Sequence, residues 1–377
     1  MTLNRAPRLL VPKGREAGIS RRLFLGGVAG VGAAVALAAC SKPGGSTASN
    51  GDLRIYSWAG YDADENVSGF GQPVKIDAYS SNEEMIAKLV AARGTSGYDI
   101  VIPTGVFIPQ MVENGLLETL DLSRLPNVAN IDPAFRNQEW DPDNAHSVCK
   151  FWGTTGYVYD TTVIKRELTS WDDFISAAEN EARGRTSLLD DPGEIAAILC
   201  FARGWNQSTT DPAQLEQIRT FLVDQLAPCI SAFDSSPGSS AIPQGTQVLM
   251  HSWNGDARRG ILSSPTPERW KWVLPTPQTN LWMDNWAIVK DAPNVDAAYD
   301  FINYSLGVDQ AARNTEFVGY GTGVTGTEEQ LIAENAELLD IIFPTAEQKT
   351  RMYTGVINDA QQVRMDIVSE MKARAGG

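Results

Sequence analysis

From Leu53 onward, short strand-like runs alternate with amphipathic stretches, and this alternation is what most limits the folds open to the chain. Leu53-Arg54-Ile55-Tyr56-Ser57-Trp58 reads as a strand, and residues 73–79 alternate as a second. Met85, Ile86, Leu89 and Val90 then recur at helical spacing behind a Ser81/Asn82 cap, with Glu83 and Glu84 as a solvated pair in the first turn. Residues 98–103 form a buried-strand run, and a helix over 106–114 stops at Gly115. A second set starts near Gly153. Strands are read at 157–159, 186–190, 247–253, 270–274 and 286–289, and helices at 171–181, 194–203, 211–225, 296–305, 327–336 and 354–373. Trp282-Met283-Asp284 reads as a turn before Trp286, and Gly319-Tyr320-Gly321 as a helix cap. This order implies an α/β protein with mainly parallel sheets covered on both faces.

Composition narrows the class of partner. From Cys40 onward the chain has 338 residues with 25 basic and 45 acidic side chains, a formal charge of −20. That length exceeds one comfortable core, so two domains are expected. The charge repels nucleic acid and attracts cations through its long-range field. Four cysteines (Cys40, Cys149, Cys200 and Cys229) exclude a disulfide scaffold, and Cys200 with Cys229 is the pair to test for a bridge. His146 and His251 stand alone, without a metal-binding spacing, and read as solvated or core-edge residues. No metal or cofactor is expected.

The first forty residues carry a different message. Ser20-Arg21-Arg22-Leu23-Phe24-Leu25 opens an apolar, small-residue run from Leu23 to Ala39, closed by Leu37-Ala38-Ala39-Cys40. At seventeen residues the run is short of the roughly twenty that span a bilayer as a helix. Gly30-Val31-Gly32 has no strand before it, so a dinucleotide fingerprint is set aside. The segment resembles a twin-arginine export signal followed by a lipoprotein lipobox. That resemblance implies removal of residues 1–39, lipidation of Cys40 and anchoring at the outer face of the cytoplasmic membrane. Residues 40–51, rich in Gly, Ser and Pro, read as a flexible tether.

In α/β sheets ligands bind outside the carboxyl ends of the strands. Two residue types recur there in this chain. Rings are supplied by Trp58, Tyr61, Trp253, Trp282 and Tyr320, and carboxylates by Asp190, Asp191, Glu194, Asp256 and Asp284. A ring face attracts an ammonium by roughly 0.5–2 kcal/mol, and a carboxylate adds a charge-assisted hydrogen bond. Apolar walls with acids at the ends suit a diamine or polyamine. Trp152, Trp171, Trp205 and Trp286 read as core residues. Asp190 is read as the structural acid ahead of the next helix, with Asp191 and Glu194 facing a ligand.

Eight motifs in order now resemble the spermidine/putrescine-binding proteins of bacterial ABC transporters. They are Tyr56-Ser57-Trp58-Ala59-Gly60-Tyr61, Ser81-Asn82-Glu83-Glu84-Met85, residues 98–103, Phe151-Trp152-Gly153, Leu188-Leu189-Asp190-Asp191 with Glu194, Trp253-Asn254-Gly255, Trp282-Met283-Asp284 and Gly319-Tyr320. The resemblance implies a two-lobed periplasmic-binding-protein fold, type II-like, whose lobes close over a polyamine. Trp58, Tyr61 and Tyr320 would wall the cleft, and Trp253 and Trp282 would line the methylene stem. Asp191, Glu194 and Asp284 would hold amino groups, Thr104 stands where the family usually has Ser, and Asp256 resembles the putrescine-type members. Val106 departs from the pattern at a position where spermidine binders commonly have Tyr, with Phe107 beside it, so the preferred amine stays open. Lobe 1 would comprise 52–153 and 282–326, and lobe 2 would comprise 154–281 and 327–377.

The implied protein is a monomeric, lipid-anchored capture protein that delivers polyamine to an ABC permease and is not an enzyme. Two other readings compete. One keeps the fold but takes a choline- or thiamine-like cation. The other is a surface-anchored hydrolase using Asp191 with Asp284 as paired acids, against which stands the lack of a GxSxG elbow or a metal-ligand cluster. A sensor that passes ligand occupancy to a membrane partner fits the same features.

Overall fold

The computed structural model describes residues 51–94 and 96–376. The export signal, the lipobox with Cys40 and nearly all of the tether therefore lie outside the described residues. Ten strands form one mixed sheet: β1 (Leu53–Trp58), β2 (Val74–Tyr79), β3 (Ile100–Val101), β4 (Val148–Asp160), β5 (Thr186–Leu188), β6 (Ile230–Phe233), β7 (Leu249–Trp253), β8 (Trp270–Val273), β9 (Thr279–Ile288) and β10 (Met352–Tyr353). Their order is β2-β1-β3-β9-β4-β7-β5-β6, with β10 beside β9 and β8 beside β4.

The parallel pairing read from the strand–helix rhythm is present on both flanks. β1 runs parallel to β2 and β3, and β5 runs parallel to β6 and β7. Between these flanks β3–β9, β9–β4, β4–β7 and β4–β8 pair antiparallel, with β4 and β9 side by side in the middle of the sheet, Gly153 opposite Trp282 and Thr154 opposite Leu281, while β10 joins β9 in parallel. All thirteen residues of β4 are buried, as befits a strand covered on both faces.

Two apolar clusters flank this central pair. One gathers Tyr157, Trp171, Phe174, Phe201, Leu249 and Met371. The other gathers Leu53, Ile55, Phe151, Trp286, Phe301 and Ile302. Burial of each such side chain stabilises the fold by about 1.5–3 kcal/mol.

Helix positions follow local chemistry. Ser81 caps the helix Asn82–Ala92 by accepting from the Glu84 backbone N–H. Ser170 and Asp173 form a capping box at the start of Trp171–Glu179. Several expectations shift. Residues 282–284 lie inside β9 rather than in a turn. The helix read over 211–225 is α-helical only at Pro212–Thr220 and continues as a π-helical stretch to Leu226. The last helix begins at Gln361, since Thr354 is drawn onto the Leu281 carbonyl and Asn358 onto the Ser208 carbonyl. Cys149, Cys200 and Cys229 are free and buried, so the pair Cys200–Cys229 is not bridged. His251 is fully buried against Trp171 and Phe174, not at the core edge, because it points inward from the central strand β7.

Candidate functional site: a chain of rings between two buried acids

The end of β1 sets the Trp58 ring against Tyr79, at 4.6 Å, and the turn after it places Tyr61 beside the middle of β9. Tyr61 is buried, and its hydroxyl donates to Asp284 Oδ2 at 2.6 Å. Thr104, just after β3, donates from Oγ1 to the other oxygen of Asp284 at 2.7 Å. Thr104 is itself held by Asn82, whose Nδ2 donates to Oγ1 and whose Oδ1 accepts from the Thr104 backbone N–H, both at 3.0 Å. Asp284 is only 5% exposed, and burial pushes its carboxyl up to about 6 against the opposing pull of these donors and of Lys150. This environment explains why an aspartate sits mid-strand: its oxygens are satisfied by hydroxyls rather than by turn backbone.

Glu194 stands on the helix Pro192–Ala202 and is 7% exposed. Its Oε1 accepts three hydrogen bonds, from Thr155 Oγ1 (2.8 Å), Asn280 Nδ2 (2.9 Å) and Trp253 Nε1 (3.1 Å). Its Oε2 is buried and has no partner. Burial, then the nearby Asp191 charge, push Glu194 up to about 7. An unmet buried acceptor costs about 1–3 kcal/mol, a cost that an incoming N–H donor would relieve.

Aromatic side chains connect these acids. Trp253 meets Trp282 edge-on at 6.5 Å, Trp282 meets Tyr320 at 4.7 Å, and Tyr320 meets Tyr61 at 6.0 Å. Trp58 and Trp282 are half-buried, and the indole N–H of each lacks a partner. Glycines make room for the rings. A Cβ at Gly153 would lie 2.3 Å from the Trp282 ring, and one at Gly255 would lie 2.4 Å from Tyr320. Gly319 ends the preceding helix at φ 84°, a left-handed conformation that L side chains resist, and so turns Tyr320 toward the cluster.

Thus Tyr61, Thr104, Glu194, Trp253, Trp282, Asp284 and Tyr320 come together in one hydrogen-bonded and ring-contact network, whereas Trp58 makes its ring contact with Tyr79, at 4.6 Å. Two acids behave differently from their reading. Asp191, not Asp190, caps the helix, accepting from the Glu194 backbone N–H at 3.0 Å; Asp190 is exposed and paired with Lys372. Asp256 is buried, but Arg259 Nη2 donates to one of its oxygens and the Tyr320 hydroxyl to the other, both at 2.9 Å. Its charge is already met within the protein, and it acts on the cluster by orienting Tyr320.

Asn82, Thr155, Asn280 and the buried pair Lys150–Asp62 were not singled out as site residues from the sequence. Lys150 and Thr155 carry a visible mark, a polar residue within an apolar strand. Asn280 carries none. Among the described residues no three His, Cys, Asp or Glu side chains converge as a metal site.

Known proteins resemble this chain along most of its length. A protein from Haemophilus influenzae named spermidine/putrescine-binding periplasmic protein 1 is 30% identical over 334 residues, covering 87% of this chain and 91% of the relative. The putrescine-binding periplasmic protein PotF of Escherichia coli is 29% identical over 342 residues, covering 86% and 91%. The crystal structure of the spermidine/putrescine ABC transporter substrate-binding protein PotD from Streptococcus pneumoniae, in complex with calcium and HEPES, superposes with a TM-score of 0.74 at 31% identity, covering 86% of this chain and 99% of PotD. The fold is therefore that of the periplasmic-type substrate-binding proteins. Residues 65–339 match the model of the bacterial extracellular solute-binding proteins, and the chain belongs to that family.

Proposed function

We propose that the protein captures a polyamine of the putrescine or spermidine type and delivers it to an ABC permease. The observation that carries this reading is the ring chain joining two buried carboxylates, Glu194 and Asp284. An ammonium at Glu194 Oε2 would gain a charge-assisted bond, the methylene stem would lie along Trp253, Trp282, Tyr320 and Tyr61, and a second ammonium would approach Asp284. Trp58 and Thr104 complete that end. Asp191 contributes charge near Glu194 while capping its helix, and Asp256 contributes through Tyr320. The names of these relatives support the same ligand class.

In this reading β4 and β9 connect two lobes, 52–153 with 282–326 and 154–281 with 327–377, and the cluster lies in the cleft between them. A twin-arginine signal exports the chain, and lipidated Cys40 tethers a monomeric binding protein beside its permease. A thermal-shift panel of putrescine, cadaverine, spermidine, spermine, choline and thiamine tests the ligand class, because a ligand that binds the native state raises its midpoint. The linear amines should raise it most. A response to choline or thiamine alone would move the assignment to another organic cation, and no response to any amine would remove it.

A further inference from the structure

Behind the amine cluster lies a charged group that the capture reading does not use. The β4–β9 ladder pairs Cys149 with Asn285 and then Phe151 with Asp284, so Lys150 is an extra residue left out of register. Such a bulge re-aims the side chain it carries. Here Lys150 Nζ pairs with Asp62, the residue after Tyr61, and both side chains are at most 2% exposed. Three rings surround the ammonium, with centroids at 3.8 Å (Trp286), 5.0 Å (Phe151) and 5.6 Å (Tyr61).

A buried ion pair is an expensive way to fill a core, because replacing it with apolar residues is often neutral or stabilising. Its retention calls for another role, and its position supplies one. Lys150 adjoins Phe151, the strand partner of Asp284, while Asp62 adjoins Tyr61, the hydroxyl donor to Asp284. We propose that Lys150, held by Asp62 in a cage of rings, is the fixed counter-charge that keeps Asp284 ionised and so sets the pH range over which the cluster accepts an ammonium.

The other titratable groups facing Asp284 cannot play this part. Tyr61 beside β1, Tyr79 on β2, Tyr320 after its helix and Cys149 on β4 are all kept protonated by burial. The cation acting on Asp284 is Lys150. Inside a protein a fixed charge is worth more than the same charge in water. Asp62 in turn offsets the burial that draws Lys150 toward its neutral form. Lys150 is thus a positioning residue that acts through Asp284.

This inference rests on the amine-capture reading, and its test separates the two. Asp62→Asn/Lys150→Met removes the pair without leaving a lone buried charge, and Lys150→Arg keeps the cation. The Asp284 carboxyl is titrated by NMR with 13C-carboxyl aspartate, assigned with Asp284→Asn, and putrescine binding is measured calorimetrically at pH 6.5 and 8.5. In the double variant the Asp284 midpoint should rise by about one unit, which is about tenfold in its ionisation equilibrium. Putrescine affinity should then fall about threefold at pH 6.5 and recover at pH 8.5, with Lys150→Arg restoring both. An unchanged midpoint, or an equal loss of affinity at the two pH values, overturns the role of Lys150. If the unaltered protein binds no amine the capture reading fails, while the carboxyl titration still decides whether Lys150 governs Asp284.

Discussion

The two acids at the ends of the ring chain are solved differently. Asp284 has a hydroxyl donor on each oxygen and a lysine behind it, whereas Glu194 has three donors on one oxygen and none on the other. Burial raises both carboxyls, Glu194 to about 7 and Asp284 to about 6. The contrast assigns them different parts. Glu194 holds an unspent acceptor and gains most from a ligand N–H, while Asp284 is already stabilised and offers a second, weaker end.

Removing the stronger end should therefore cost the most. Glu194→Gln should weaken putrescine binding by about 3 kcal/mol, or roughly 150-fold, measured by calorimetry. A loss smaller than that of Asp284→Asn would reverse the ranking.

Acid should act mainly through the same residue. With one ammonium at each end, putrescine needs both carboxylates ionised, so its affinity should fall by about twentyfold between pH 8 and pH 6 as Glu194 and then Asp284 protonate. Stability of the unliganded protein should move the opposite way. The folded value of Glu194 lies above its ordinary value of 4.5, so the folded state binds more protons and unfolding becomes harder as pH falls from 8 toward 6.5. Below about 6.5, His251 opposes this gain, since burial lowers it to about 3 and its contribution is lost as acid protonates the unfolded chain. Asp284, raised to about 6, adds a gain of the same sign as Glu194, so denaturant midpoints should keep rising as pH falls from 8 toward 5. Glu194→Gln should flatten the rise, and a rise that survives that substitution would place its source elsewhere.

At the other end, Asp284→Asn should cost about 1.5 kcal/mol, or roughly tenfold in affinity. An unchanged affinity would remove Asp284 from the site. The smallest effect belongs to the wall between the acids. Trp253→Ala should cost about 1 kcal/mol of affinity, roughly fivefold, with a smaller effect on the thermal midpoint. Unfolding instead of weakened binding would make Trp253 a core residue.

Much of this was legible in the sequence, but unevenly. The motif Trp253-Asn254-Gly255 carried a ring, a buried amide and a glycine, and each has a place. Asn254 accepts from the Thr154 backbone N–H and donates to the Ile341 carbonyl, and Gly255 makes space for Tyr320. The length of β4 was hidden, because Gly153 and Gly156 look like breaks between two short strands. Both instead lie beneath tryptophans, Trp282 and Trp272, and such contacts across strands leave no local signal. The same holds for Asp284, whose polarity suggests a turn until Tyr61 and Thr104 arrive from distant segments. Asp190 and Asp191 are neighbours with equal claims to the helix cap, and only the backbone geometry at Asp191 decides between them.

The central claim is capture at two ends, and calorimetry of putrescine against its single-ended counterpart n-butylamine tests it most directly. If Glu194 and Asp284 each hold an ammonium, putrescine should bind at least about tenfold more tightly, the worth of one charge-assisted bond of about 1.5 kcal/mol. Equal affinities for the two amines would contradict the account.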